Sequence, residues 1–286
     1  MDSNRSLARR SVLAGAAVVA TGLVAMTLPG TAAAGGHGAH RPGRVPRGQI
    51  SIQLYTLRDL LDRDLEGTLA ELAAIGYRKV ELAGTYGRTA AELRAILDRH
   101  GLHATSSHVG IDGDWDKAVE DALTLGQRFV AVPWADFPTA DEWRRFADQL
   151  NAAGEVARAA GLSLGYHNHA HEFRTLEGVR PYDILTSRTD PKLVHLEVDL
   201  YWAVDAGVDP VELIHRHAGR IRQFHVKDRG RDGGFADLGT GTIDFGRIFR
   251  HAHKAGVIEY IVEHDAPTDA LHTARVGYEY LSHFRF

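Results

Sequence analysis

One feature constrains this chain more than any other: an alternation of strand and helix patterns that runs without a break from residue 50 to residue 281. Short apolar runs of strand character at 50–55, 79–82, 103–109, 128–133, 162–167, 193–199, 221–227 and 258–263 are each followed by a stretch at helical spacing. The helical stretches are 64–75, 89–100, 115–125, 140–160, 181–186, 211–217, 245–255 and 268–281. Thr89 with Glu92 three residues on forms a capping box, and Gly76, Gly101, Gly126 and Gly161 stand where helices should stop. Strands separated by helices are parallel, and eight such units in roughly 240 residues fit an α/β (β/α)8 TIM barrel over residues 49–286. No glycine-rich phosphate loop follows strand one, which argues against a dinucleotide-binding sheet.

What precedes the barrel is of another kind. Arg9-Arg10, an apolar run from Val12 to about Met26 and then Thr31-Ala-Ala-Ala34 have the layout of a secretory signal peptide over residues 1–34. The run is too short and too rich in Ala and Gly for a stable membrane span of about 20 residues. Paired arginines before it suggest the twin-arginine route, so the expected location is exported, extracellular or in the cell envelope. Residues 35–48, rich in Gly, His, Arg and Pro, are expected to be a disordered linker.

The chain has no cysteine, so disulfides, thiolate metal sites and cysteine nucleophiles are all excluded. The formal net charge is −4; the leader carries Arg5, Arg9 and Arg10 against Asp2, and removing that +2 leaves −6. A mildly acidic domain is a poor match for a phosphate backbone, so no nucleic-acid partner is expected.

The chemistry gathers at the C-terminal ends of the strands, the face that forms the mouth of such a barrel. Strand two offers Glu81 and strand three His108. Strand five runs into Tyr166-His-Asn-His-Ala-His-Glu-Phe173, with His167 and His169 two apart and Glu172 beyond. Strand six offers Glu197 and Asp199 on one face, strand seven His225 with Lys227, and strand eight Glu263. Imidazoles and carboxylates without thiolates suit Mn²⁺, Mg²⁺, Co²⁺ or Zn²⁺.

Together with Ser51-Ile-Gln-Leu-Tyr-Thr-Leu-Arg58, Glu197-Val-Asp-Leu-Tyr-Trp202, Phe224-His-Val-Lys-Asp228, Leu238-Gly-Thr-Gly-Thr-Ile-Asp-Phe245 and Ile261-Val-Glu-His-Asp265, these motifs resemble the sugar phosphate isomerase/epimerase family of xylose-isomerase-like TIM barrels. The resemblance covers essentially all of residues 50 to 286. It implies one divalent metal held from strands five to eight, with Asp199, His225 and Glu263 on the last three positions. The first position departs from the family pattern, with His167 where a Glu is expected and His169 or Glu172 as other candidates. That departure weighs against epimerisation by two carboxylates.

The resemblance implies a small-molecule carbohydrate substrate whose carbonyl the metal polarises. Glu263 or Glu172 is then the base and His108 or His169 the acid, while Lys227 holds a substrate oxygen. His169, Glu81, Trp202 and Tyr55 are candidate substrate contacts. The leading expectation is a sugar isomerase or epimerase working through an enediolate. A lyase or hydratase acting on 3-keto-glycosides or inososes comes second, and a non-catalytic sugar-binding barrel third. A repair nuclease of the endonuclease IV type needs a basic face that this acidic chain lacks.

Overall fold

A computed structural model of the chain describes residues 43–286. The expected signal peptide, and the expected linker up to residue 42, lie outside the described residues. Residues 43–48 differ from the linker expectation. Gly43 N–H donates to the Phe286 carbonyl at 2.7 Å, Arg44 bridges Arg285, and Val45 is buried. The last residues of the expected linker are thus tied to the C-terminus.

Eight strands follow: β1 (Ile50–Gln53), β2 (Lys79–Leu82), β3 (His103–Ser107), β4 (Phe129–Val132), β5 (Ser163–His167), β6 (Val194–Asp199), β7 (Ile221–Val226) and β8 (Glu259–Val262). Within this sheet all neighbouring pairs are parallel, and β1 lies between β2 and β8; a separate antiparallel pair, Asp228–Arg229 with Phe235–Ala236, follows β7. The circle is completed between β3 and β4, where His108 bridges Ala131 in parallel register and Val109 N–H donates to the Ala131 carbonyl at 2.9 Å. This is the expected (β/α)8 barrel.

The segment expected as one helix over 245–255 is two short ones, Phe245–Phe249 and Ala252–Ala255. A helix that the sequence pattern did not suggest, Leu200–Asp205, starts directly from the end of β6. Among the described residues no helix is long and apolar enough to cross a membrane.

Alternation along each strand sorts residues between two environments. Ile50, Ile52, Val80, Leu82, Leu196, Val198, Phe224, Val226, Tyr260 and Val262 join the apolar layer between sheet and helices. Burying each such side chain contributes about 1.5–3 kcal/mol. The lumen is polar, where barrels of this kind are usually filled by branched apolar side chains. Thr105 donates to Glu259 at 2.6 Å, and Gln223 donates to Ser106 at 3.2 Å and to Glu259 at 3.2 Å. The Thr105–Glu259 and Gln223–Ser106 bonds link β3 to β8 and to β7, neither of them its sheet neighbour, so they cross the interior. Gly165 makes room for this packing: a Cβ there would lie 2.5 Å from His195 Nε2. A polar lumen is stable only when its groups find partners, and that network stands directly beneath the mouth.

Candidate metal centre

Register brings the strand ends to one height. His167 is opposite Glu197 across β5 and β6, Asp199 is opposite His225 across β6 and β7, and His225 is opposite Ile261 on β8. As a result His167, Asp199, His225 and Glu263, all buried, each offer a ligand atom within 4.8 Å of the others. His225 Nδ1 is 2.7 Å from Glu263 Oε2, and His167 Nε2 faces Asp199 Oδ2 at 3.8 Å.

Asp199 is held by the helix it starts. Its Oδ1 accepts from Trp202 N–H at 3.0 Å as an N-cap. This turns Oδ2 inward, where among the described residues it accepts no hydrogen bond. Lys227, 1% exposed, points its ammonium at Asp199 Oδ2 (3.0 Å), Glu263 Oε2 (2.9 Å) and Asp265 Oδ1 (2.7 Å). Below them Glu81 and Glu197 share His108 and His225: His108 Nε2 is 2.7 Å from Glu197 Oε1 and 3.2 Å from Glu81 Oε1.

The charges do not balance without a further cation. Burial opposes ionisation of His108, but Glu81 and Glu197 push its imidazole up to about 10. Burial also opposes charging of His225, yet Glu263, Glu197 and Glu81 hold it well above the usual histidine range. His167 is driven the other way by burial and by the cationic rings beside it, and is neutral. Burial raises the Asp199 carboxyl to about 6 even with Lys227 next to it. Burial would raise Glu263 too, but Lys227 and His225 hold it far below the ordinary carboxylate range. The five carboxylates Glu81, Glu197, Asp199, Glu263 and Asp265 thus face the cations Lys227, His108 and His225, leaving two negative charges over. A divalent cation there would take the place of the His225 Nδ1 proton, since ligating imidazoles bind without it, and would cut the excess from two negative charges to one. Its ligand set would be His167, Asp199, His225 and Glu263, and the donor chemistry fits.

The cluster opens into a cavity of about 470 Å³ whose walls include Tyr55, His108, Trp134, His169, Lys227 and Asp265. Among the described residues His169 Nδ1 is buried without a partner, and burial holds this imidazole down to about 3, so it is neutral. A second cavity of about 590 Å³ shares Trp134 but runs along the helix Ala140–Ala159 between apolar walls, and of the cluster it includes nothing.

Three expectations are corrected. Glu81 is no substrate contact: it is fully buried in the lumen, where it accepts from Gln53 at 2.9 Å and from Ser106. Glu172 is neither ligand nor base. Its carboxylate accepts from Tyr166 Oη at 2.9 Å and from His169 N–H at 2.8 Å, away from the mouth. Trp202 is set back from the cavity wall, its ring 5.3 Å from that of His169 and 5.6 Å from Lys227 Nζ. His167, rather than His169 or Glu172, occupies the strand-five position of the cluster. Asp265, two residues after Glu263 and past the end of β8, joins the site through Lys227 with no signal in the sequence beyond that spacing.

The family model described as xylose isomerase-like TIM barrel matches residues 69–281. The chain is 30% identical over 255 residues to the inosose dehydratase of Geobacillus kaustophilus (strain HTA426), covering 73% of this chain and 82% of that protein. It superimposes with a TM-score of 0.74 and 26% identity on a sugar phosphate isomerase/epimerase from Parabacteroides distasonis ATCC 8503, covering 89% of this chain and 98% of that one. At 16% identity and a TM-score of 0.61, covering 81% and 95%, it shares its fold with the IolI protein, whose structure contains a bound zinc atom.

Proposed function

Since the chain belongs to the xylose isomerase-like TIM barrel family, we propose that it is a divalent-metal-dependent dehydratase that removes water from a keto-cyclitol or related keto-sugar. The observation that carries this reading is the convergence of His167, Asp199, His225 and Glu263 beside the neutral imidazole of His169 in the cavity wall. Epimerisation needs proton transfer on both faces of a carbon. Here the position that would hold a second carboxylate is an imidazole, and Glu263 is tied to both His225 and Lys227. The relationship to inosose dehydratase supports the same choice, so elimination is preferred to the isomerase reading.

A bound divalent ion would act as a Lewis acid on the substrate carbonyl. The chain's own groups do the rest. The Lys227 ammonium hydrogen-bonds the oxygen on which negative charge develops, in a buried setting where such a bond is strong. The neutral His169 imidazole, which lines the cavity, takes the proton from the carbon next to the carbonyl. Electrons of the broken C–H bond form the enolate, and their return expels the β-hydroxyl. The imidazolium of His169 gives its proton to that hydroxyl, so one water leaves and the base is restored. Glu172 holds the His169 backbone, while Tyr55 and Trp134 wall the ring of the substrate. Export by the twin-arginine route belongs to the same proposal, supported by Arg9-Arg10 and the apolar run after them.

Incubation of the Mn²⁺- or Co²⁺-loaded protein with an inosose, followed by mass spectrometry, tests the reading. Loss of one water is expected; formation of an epimer or isomer of unchanged mass sinks it.

A further inference from the structure

One oxygen in this molecule faces three imidazoles. Glu197 Oε1 lies 2.7 Å from His108 Nε2, 3.1 Å from His225 Nε2 and 3.2 Å from His167 Nδ1. Glu197 is fully buried, and its other oxygen has no partner among the described residues. The two histidines involved besides His108 belong to the cluster at the mouth, and each turns its remaining nitrogen there: His167 Nε2 toward Asp199, His225 Nδ1 toward Glu263.

Two arrangements of a cation are possible around these rings. His108, His167, Glu197 and His225 also bring ligand atoms within 4.8 Å of one another. A cation held there would use the His167 and His225 nitrogens that face Glu197. A cation at the mouth uses the opposite ones. Both at once would require two fully deprotonated imidazolates, so a neutral pair can serve only one position. Glu197 Oε1 has lone pairs to accept N–H bonds, and a carboxylate behind a ligating histidine fixes which nitrogen is free for the metal. The mouth has the carboxylates of Asp199 and Glu263 and opens to the cavity, whereas the deeper group has Glu197 and Glu81, both sealed in the lumen, as its carboxylates.

We propose that Glu197 is a positioning residue rather than a ligand: by accepting Nδ1–H of His167 it sets that ring's tautomer and directs the cation to the mouth, while Nε2–H of His225 is held by Glu81 at 2.8 Å, with Glu197 Oε1 3.1 Å away. This rests on the metal centre proposed above and not on the reaction catalysed there. Glutamine is a weaker substitute for Glu197: it can keep one accepting oxygen toward the rings, but a neutral one, and the charge-assisted hydrogen bonds that the carboxylate accepts are roughly twice as strong.

The test uses Co²⁺ and Zn²⁺ alone, without substrate. Glu197→Gln should bind one equivalent of Co²⁺ about 10–100-fold more weakly than the native protein. Its visible Co²⁺ spectrum should keep the native shape, because the ligating atoms are the same. Long-range ¹H–¹⁵N spectra of the Zn²⁺-loaded native protein should show the proton on Nδ1 of His167 and on Nε2 of His225, a readout that stands even if the variant does not fold. Unchanged Co²⁺ affinity in the variant, the opposite tautomer at either ring, or two equivalents in the native protein with one lost in the variant each overturn the proposal. If the native protein binds no cation, this inference and the proposed function fall together. If it binds as described but leaves keto-cyclitols intact, only the activity is overturned.

Discussion

Lys227 Nζ and Asp199 Oδ2 stand 3.0 Å apart, both side chains removed from water, at the point where β6 and β7 deliver their last residues. The ammonium neutralises one of the cluster's carboxylates and touches Glu263 as well. Breaking a buried pair by removing one partner costs about 3–5 kcal/mol, because the other charge is left unpaired. Lys227→Met should therefore lower the unfolding free energy of the metal-free protein by about that amount, and added divalent metal should recover part of it. Thermal melts with and without chelator check this; an unchanged melt in chelator would show that the lysine does not neutralise the cluster.

Asp199 has two separable duties. Asp199→Asn keeps an oxygen for the Trp202 N–H, whereas Asp199→Ala loses the cap, worth about 1 kcal/mol. Both variants should fall from one equivalent of bound metal to near zero, and only the alanine should also lose the cap's contribution to stability. His167→Ala should bind more weakly without losing the site. Metal analysis of the dialysed proteins beside denaturant titrations separates the effects.

Glu172 should matter to activity without touching the metal. It fixes the His169 backbone at 2.8 Å and is braced by Tyr166. In Glu172→Ala, His169 loses its fixed position, and turnover should fall about 10²-fold for a displacement on the order of 1 Å. Metal content should stay native. A variant that loses metal and activity together would make Glu172 part of the metal centre. His169→Gln should lose about 10²–10⁴-fold in kcat, as expected for a missing general base, again with native metal content.

Glu259 gives the protein a pH dependence remote from the mouth. Burial in the lumen, reinforced by the Glu81 carboxylate, raises its carboxyl to about 7, against the Thr105 hydrogen bond that works to lower it. An unfolded chain has this group near 4.5. Between those values the folded state holds a proton that the unfolded state has released, so stability falls as pH rises from about 4.5 to about 7 and then levels off. Glu259→Gln should flatten that part of the profile and be the more stable protein at pH 8, by up to about 3 kcal/mol at 1.36 kcal/mol per unit. Chemical denaturation across pH 4.5–8 measures it; equal slopes in both proteins refute the assignment.

Much of this molecule was legible before any coordinates. Alternating strand and helix patterns predict the barrel because parallel strands need crossover helices. Asp199, His225 and Glu263 could be placed at one mouth because all parallel strands present their C-terminal ends on the same side. The helix Leu200–Asp205 was missed because its start coincides with a ligand: Asp199 reads as the end of a strand and is also an N-cap.

What the linear pattern left undecided was depth and direction. Glu81 and Glu263 both lie at strand ends in the sequence, yet one is sealed in the lumen and the other reaches the cavity. Glu172 sits five residues beyond His167, but a 3₁₀ turn at His171–Phe173 carries it away toward Tyr166. Composition and periodicity determined the barrel and the kinds of side chain at its mouth. Only the closed barrel, by bringing His108, His167 and His225 around Glu197, decided which ring nitrogens turn toward the mouth, because hydrogen-bond direction depends on groups brought together from strands far apart in the chain.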